Sequence, residues 1–488
     1  MQASTPVLMI VFVFTFIPLI FAELARNKSV PTIEDFFLQS RKMPAVMLIF
    51  TVYSTWMSAF AFLGAGGYFY EMGPVYMTAI GWDALFGILF MVIGKRVWFY
   101  GKENGYITPT DFFQDIYEYK PLSFIVTAVM ILFTIPYLQI QLSGGAYIIE
   151  VASDGMIPWR ISGLIFYLII IIYLWAGGLR AVALTDIFYG TCLFLSMIFI
   201  GFFLVNKAGG AEYVFQTITA INEKNVVLPG PKGDAGALLW ISMFVTVPIG
   251  ALMGPPMWIR FYSAENKRIF NMIPLFITIA AIQCVGTMLA GSAGILLIPD
   301  AYQSDAIIPI MLLKYGDEVL CALLFCGVAA AALSTANSQI HAVAAIYTID
   351  VHKRYINKDI SEKKLTSVGK WAVLIISAAA YILLLNNPVM IINTGTIGMS
   401  GTAQIFIPVA GALFWKRSNG KAAACGVLTG ILVLAVTFAN TSSSVSYCAV
   451  LALAANTLVF AGGSLAFPAD QKTREKIVLY RDRYERDL

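Results

Sequence analysis

Long apolar runs separated by short polar stretches dominate this chain. Thirteen runs are legible, at about 6–25, 44–70, 75–98, 121–149, 159–176, 182–205, 237–259, 269–298, 317–349, 367–386, 388–415, 421–440 and 446–467. Each is near or above the roughly 20 residues needed to cross a hydrocarbon core as a helix. The expected fold class is therefore an all-α polytopic membrane protein with thirteen transmembrane helices. Two runs are interrupted. Span 2 carries Ser58-Ala-Phe-Ala-Phe-Leu-Gly-Ala-Gly-Gly67, and span 7 carries Pro248-Ile-Gly-Ala-Leu-Met-Gly-Pro-Pro256. Glycine and proline kinks are common in membrane helices, so either alone says little. The pair lies five spans apart, and matched interruptions in two halves of a chain point to inverted repeats with broken helices. The repeats would be spans 2–6 and 7–11 (about 44–205 and 237–415), each opening on a discontinuous helix. Spans 1, 12 and 13 are peripheral. Residues 1–467 form one transmembrane domain and 468–488 a charged tail.

Composition agrees with this pattern. Of 488 residues, 59% are hydrophobic and 12% charged, about half the charge of a soluble domain. The first run has no Lys or Arg ahead of it and reads as a retained span. Six cysteines lie in or beside apolar runs without a CxxC, and are expected as reduced core residues. Two histidines are too few for a metal cluster. The net charge of +4 is spread over short loops, which excludes nucleic acid as a partner. All the basic residues but Arg160, Lys207, Lys224, Lys232 and Lys314 fall in alternate loops. The basic loops face the cytoplasm, so the N-terminus is expected outside a cell membrane and the C-terminus inside. On this reading Arg260 is a loop charge, and no Lys or Arg lies mid-span.

Two basic loops carry a T-x-x-D pattern followed by aromatics, Thr32-Ile-Glu-Asp35-Phe-Phe and Thr108-Pro-Thr-Asp111-Phe-Phe. Each predicts a capped, short interfacial helix.

Candidate chemistry centres on Gly327–Asp350. On a helix Ala331, Ser334 and Thr335 share one face. Two hydroxyls and a backbone carbonyl there can hold a hard cation without burying net charge. The competing reading is that the hydroxyls bond back to the preceding turn and the alanines only allow close packing. Asp83 and Asp186 are the acids within runs, and intramembrane acids are functional candidates by default. Among neutral groups Gln141, Gln283, Asn337, Gln339, Asn393, Ser400 and Gln404 serve either as interhelical glue or as ligand contacts. The candidate substrate contacts are Ser58, Asp83, Gln141, Gln283, Ser400 and Gln404. With no buried Lys or Arg, an anionic substrate would rest on the positive ends of the half-helices.

Several motifs are specific. Gly177-Gly178-Leu-Arg180-Ala-Val-Ala-Leu-Thr185-Asp186 resembles the GG-x-[RK]-A-V-x-x-T-D signature of the sodium/solute symporter family, which includes proline, sugar, sialic acid and pantothenate carriers. Asp35-Phe-Phe-Leu-Gln-Ser-Arg41, Pro136-Tyr137 with Gln141, Gly254-Pro255-Pro256 with Arg260-Phe261, and Ala331-x-x-Ser334-Thr335 resemble further family motifs in unbroken order. The resemblance implies a LeuT-like core and a sodium site made of the Ser54, Met57 and Ala331 carbonyls with the Ser334 and Thr335 hydroxyls. Some members hold a second sodium, which here would fall on Asp186, Ser334 and Ser338, with Asn337 where a serine is usual. Proline carriers have an aspartate where this chain has Trp56. The polar residues of sugar carriers on the first, second and seventh core helices are not recognisable.

The resulting expectation is a sodium-coupled symporter importing a small metabolite, an organic acid or monocarboxylate, by alternating access. Its partners are that substrate and the lipid bilayer, with no nucleic acid, no obligate protein partner and no organic cofactor. A proton-coupled carrier of the same fold and a pantothenate or amino-acid carrier are alternatives. A transporter-like sensor is a remoter one, because the 21 residues after Phe467 leave no room for a kinase. Gly398-Met-Ser400-Gly401 matches the G-x-S-G of intramembrane proteases. Both histidines precede the serine, however, so no enzyme is expected.

Overall fold

The computed structural model describes residues 5–27, 30, 32–233, 235–386, 390–441, 444–467 and 469–487; Lys28, counted above with the first basic loop, lies outside them. Among these residues the regular elements are helices. They are α1 (Thr5–Arg26), α2 (Ile33–Leu38), α3 (Ala45–Trp56), α4 (Ala65–Met72), α5 (Thr78–Leu89), α6 (Lys95–Asn104), α7 (Pro109–Tyr117), α8 (Lys120–Ala152), α9 (Trp159–Lys207), α10 (Ala211–Ile221) and α11 (Ala237–Met253). There follow α12 (Pro255–Ser263), α13 (Ile273–Ala280), α14 (Gln283–Leu297), α15 (Ile307–Tyr315), α16 (Glu318–Ile346), α17 (Glu362–Asn386), α18 (Ile391–Ala403), α19 (Phe406–Phe414), α20 (Gly420–Asn440), α21 (Val445–Ala466) and α22 (Gln471–Asp487). Ten stretches of helix are long and apolar enough to cross a membrane, or eleven if α11 and α12, bent by 56° at their junction, form one crossing. The apolar helices Ala45–Trp56 and Trp159–Ile172 are shorter.

Both interruptions are present, the first just ahead of the stretch the sequence marked and the second inside it. The first lies at Met57, whose φ of −85° and ψ of 103° leave the helical region. The glycines of 64–67 sit inside the helical stretch that follows. They serve close approach instead: a Cβ on Gly67 would lie 2.9 Å from the Ser304 backbone. The second break falls at Gly254 (φ −62°, ψ 145°), and Pro248 remains inside α11. Pro255 and Pro256 then open α12, where a missing N–H costs nothing. A two-bond bridge links the segments that carry the breaks. Met43, ahead of α3, donates to the Ser263 carbonyl at 3.0 Å, and its own carbonyl accepts from Glu265 N–H at 3.1 Å.

The capping patterns behave as expected. Thr32 Oγ1 accepts from Asp35 N–H at 3.1 Å, and Asp111 Oδ2 accepts from Thr108 N–H at 3.1 Å. The first of these loops meets the GG-x-R motif. Arg180 reaches Asp35 Oδ1 at 3.2 Å, and Phe36 packs on Gly178. The second meets the helical segment Tyr347–Ile356 that continues α16 in the same manner: Arg354 pairs with Asp111 at 2.8 Å, while Thr108 donates to Asp350 at 2.9 Å.

Gly178 explains its place in the motif. Left straight, the 49 residues of α9 would run about 74 Å at 1.5 Å per residue, more than twice a hydrocarbon core. The chain turns at Gly178, where φ is 57° and ψ −168°, a region that is essentially glycine-only. Gly178→Ala should therefore cost about 1–3 kcal/mol. The check is the apparent melting temperature of the purified variant, and an unchanged value would mean that the turn relaxes without penalty.

The tail, expected only as charged, is a docked helix. From α22, Lys472 pairs with Glu118 at 2.7 Å, Lys476 with Asp115 at 2.9 Å and Glu118 at 2.6 Å, and Tyr480 donates to Asp115 at 2.8 Å. Hydrogen bonds from Lys472, then Lys476, hold the Glu118 carboxylate below its ordinary range. Its contribution to docking is complete above the usual glutamate pKa and is lost as pH falls below it.

Candidate cation and substrate site

The first break and α16 face each other. Ser334 Oγ donates to the Ser54 carbonyl at 2.9 Å and lies 3.3 Å from the Ala331 carbonyl. Thr335 Oγ1 lies 3.2 Å from the Ser54 carbonyl and 3.3 Å from that of Thr55. All five residues are buried. The hydroxyls therefore reach across to another helix, beyond back-bonding within their own. Alanines at 329–332, none of them exposed, let the two backbones approach. α3 ends at Trp56, and its last carbonyls lack helical partners, as at any helix C-terminus. The outcome is a cluster of carbonyl and hydroxyl oxygens with no formal charge, the donor set a hard cation takes. The Thr55 carbonyl, not among the expected ligands, is part of this cluster. Met57 itself caps α3, donating its N–H to the Tyr53 carbonyl at 2.8 Å.

A second polar group lies one turn further along α16. Ser338 accepts from Thr55 Oγ1 at 2.9 Å and from Arg260 Nη2 at 2.5 Å. Arg260 Nη2 also donates to Thr51 Oγ1 at 2.9 Å and Thr55 Oγ1 at 3.1 Å, and lies 3.6 Å from Asp186 Oδ2. Thr51 closes the ring with a hydrogen bond to Asp186. Arg260 and Asp186 are both fully buried. This corrects the expectation that no Lys or Arg lies mid-span: α12 continues the broken span to Ser263, so Arg260 belongs to it. Asn337, next to Ser338 in the chain, is buried, and its Oδ1 has no hydrogen-bond partner among the described residues.

The candidate substrate contacts divide. Ser58 and Gln141 serve the first break directly. Gln141 Oε1 accepts the freed Ala59 N–H at 3.2 Å, Ser58 Oγ accepts that of Phe60 at 3.1 Å, and Ser58 meets the Tyr137 hydroxyl at 3.1 Å. Asp83 accepts from Trp56 Nε1 at 2.8 Å, with the Trp56 ring stacked on Phe86. Gln283 accepts from the Tyr53 hydroxyl at 2.5 Å, and its neighbour Cys284 faces Asp83. A cavity of 30 Å³ lies between the breaks, lined by Thr55, Trp56, Tyr137, Gly254, Gln339 and Thr402 among others. A cleft of 930 Å³ lies elsewhere, among Tyr106, Asp111, Arg354 and Lys476. That cleft is the larger, but it is formed by polar helix ends and lacks the breaks, so the site is assigned to the small cavity.

None of the six candidate contacts lines that cavity; Asp83 lines a smaller one with Trp56, Met57 and Cys284. Gln404 faces the peripheral helices, accepting from Asn456 of α21 at 2.8 Å through its carbonyl and 3.2 Å through Oε1. Ser400 is buried on the same helix as the Gly398 and Gly401 packed against Phe133 and Tyr137. The G-x-S-G thus marks a tight helix contact, and His341 is occupied against the rings of Phe36 and Phe37. Sequence reasoning missed Thr51, Thr55, Arg260 and Thr402. Thr402 donates to the Gly250 carbonyl at 2.7 Å, tying α18 to α11 just ahead of the second break.

The sodium:solute symporter family matches residues 36–430. The chain is 27% identical over 437 residues to a sodium/pantothenate symporter of Haemophilus influenzae, covering 87% of this chain and 88% of that one. It is 25% identical over 417 residues to the sodium/pantothenate symporter of Escherichia coli, covering 84% and 86%. A solved Na+-coupled sialic acid symporter superposes with a TM-score of 0.82 at 16% identity, over 96% of this chain and all of that one, and shares its fold. The family and these relatives are transporters, not enzymes, and this chain belongs to the sodium:solute symporter family.

Proposed function

We propose that this protein is a sodium-coupled symporter that imports a small carboxylate-bearing metabolite of the pantothenate class by alternating access. The observation that carries the reading is the uncharged oxygen cluster of Ser54, Thr55, Ala331, Ser334 and Thr335 at the first break. Sodium is cargo here, and those oxygens are its proposed ligands. The carboxylate is supported by two relatives named for pantothenate. Trp56, which stands where proline carriers have an aspartate, argues against proline as that substrate.

The topology proposed is thirteen crossings. The two shorter apolar helices complete the count: Ala45–Trp56 is the first half of one crossing, and Trp159–Ile172 is a crossing of its own before the Gly178 turn. Five-helix repeats then span about 44–205 and 237–415, with the N-terminus outside a plasma membrane and the C-terminal helix inside.

The cavity between the breaks is far below the roughly 300 Å³ of a small-molecule site. Substrate entry therefore requires the breaks to move apart. A ligand drives such a motion only by binding one state better than another. Sodium does so if the Ser54 and Thr335 oxygens converge in one state and part in the other. Each inward charge then gains about 2.3 kcal/mol per 100 mV.

The test is sodium-dependent thermal stabilisation of purified protein across a panel of monocarboxylates including pantothenate, with proline, sialic acid and hexoses alongside. A ligand at 100 times its Kd adds about 2.7 kcal/mol. A monocarboxylate is expected to stabilise in sodium and not in potassium. Stabilisation by proline or a hexose instead would refute the substrate class, and stabilisation that follows pH rather than sodium would refute the coupling ion.

A further inference from the structure

The second cation position implied by family resemblance does not fit an ion here, because a side chain already holds it. Arg260 Nη2 is surrounded by Thr51 Oγ1 at 2.9 Å, Thr55 Oγ1 at 3.1 Å, Ser338 Oγ at 2.5 Å and Asp186 Oδ2 at 3.6 Å. These oxygens come from α3, α16 and α9, and include Asp186 and Ser338, two of the residues a second sodium would use. One nitrogen therefore stands amid three hydroxyls and a carboxylate, as a bound cation would.

We propose that the Arg260 guanidinium is a tethered substitute for the second cation, so that the protein binds one sodium ion and not two. This rests on the sodium reading of the first site and extends it to stoichiometry. The charges decide it. Asp186 and Arg260 are both fully buried and cancel. A sodium ion added among the same oxygens would meet the guanidinium at contact distance, in surroundings that screen charge poorly, and would have to displace its hydrogen bonds. The tether also changes what the position reports. A free ion there would depend on the sodium concentration of the side it faces, whereas Arg260 is carried on α12, directly after the second break. The Asp186 charge is then neutralised throughout the cycle, and only the site at Ser334 and Thr335 follows the gradient.

The test is a count of bound ions, using radioactive sodium alone as probe on the purified full chain. Wild type is expected to bind one sodium per chain with a Hill coefficient near 1, and D186N is expected to keep that ion. Arg260→Ala should bind two. Millimolar guanidinium should return it to one, by restoring the missing group at Asp186 without touching the first site. Two ions in wild type, of which D186N removes one, would overturn the proposal while leaving the sodium reading intact. So would an Arg260→Ala protein that still binds one. No bound sodium in wild type would sink both. If Arg260→Ala does not fold, the wild-type count and the D186N comparison decide.

Discussion

Thr335→Ala and Ser334→Ala are each expected to raise the sodium concentration for half-maximal uptake about tenfold, and the double variant about a hundredfold. Each change removes one oxygen from a cluster in which Ser334 and Thr335 provide the side-chain oxygens and Ser54, Thr55 and Ala331 the carbonyls. Tenfold corresponds to about 1.4 kcal/mol, at the low end of a hydrogen bond to a charged partner. Destabilisation of the fold is not a sufficient explanation for such a shift. A hydroxyl lost from a helix contact lowers the amount of folded protein at every sodium concentration, whereas a lost ligand moves the midpoint along the sodium axis. Thr335→Ser separates the two further. It keeps the oxygen and drops a methyl group, so it should stay within about twofold of wild type in midpoint, a difference of roughly 0.4 kcal/mol. Uptake and thermal stabilisation, both titrated with sodium at constant ionic strength, give the two midpoints. If both alanine variants titrate as wild type does, the hydroxyls are interhelical glue and the cation lies elsewhere.

What the sequence revealed, and what it hid, follows from the range over which each signal acts. The face of Ala331, Ser334 and Thr335 is a local matter of helix periodicity, and it was legible. So were the capped loops at Thr32 and Thr108. Their partners were not, because Arg180 is 145 residues from Asp35 and Arg354 is 243 residues from Asp111. Only the fold shows that two motifs quoted separately, the Asp35 loop and the GG-x-R turn, are halves of one contact. The breaks were found, the second within its marked stretch and the first just ahead of it. Glycine and proline permit an interruption without fixing its residue, and the interruption settles where other side chains satisfy the freed groups, as Gln141 does for Ala59. Arg260 was misread because it follows the apolar run of span 7 by one residue. Its charge looked solvated until the opposing Asp186, on another helix, was in view. Gln404 failed in the other direction. Polar residues within a span raise the same flag whether they face a cavity or, as this one does, a peripheral helix through Asn456.

Arg260→Met should be among the most destabilising single changes in the protein, and adding Asp186→Asn should restore most of the loss. Removing one member of a buried ion pair leaves an uncompensated charge, at a cost of about 3–5 kcal/mol, while removing both is often close to neutral. The surroundings favour that outcome here. Thr51, Thr55 and Ser338 are hydroxyls, able to donate as well as accept. Once the guanidinium is gone they can pair with the amide that Asp186→Asn introduces and with one another, as Thr55 and Ser338 already do at 2.9 Å. The measurement is a double-mutant cycle on apparent melting temperature in sodium-free buffer, where a coupling term as large as the single-variant loss identifies the pair as a unit. If the two losses simply add, Arg260 and Asp186 do not act together, and the neutral pair inferred at the second cation position is not what holds these helices. A sodium titration of the same proteins carries the argument one step further. Arg260→Met, with Asp186 exposed to any cation that can reach it, should gain more melting temperature from sodium than wild type does. The double variant, with no charge left at that position, should gain only what the first site supplies.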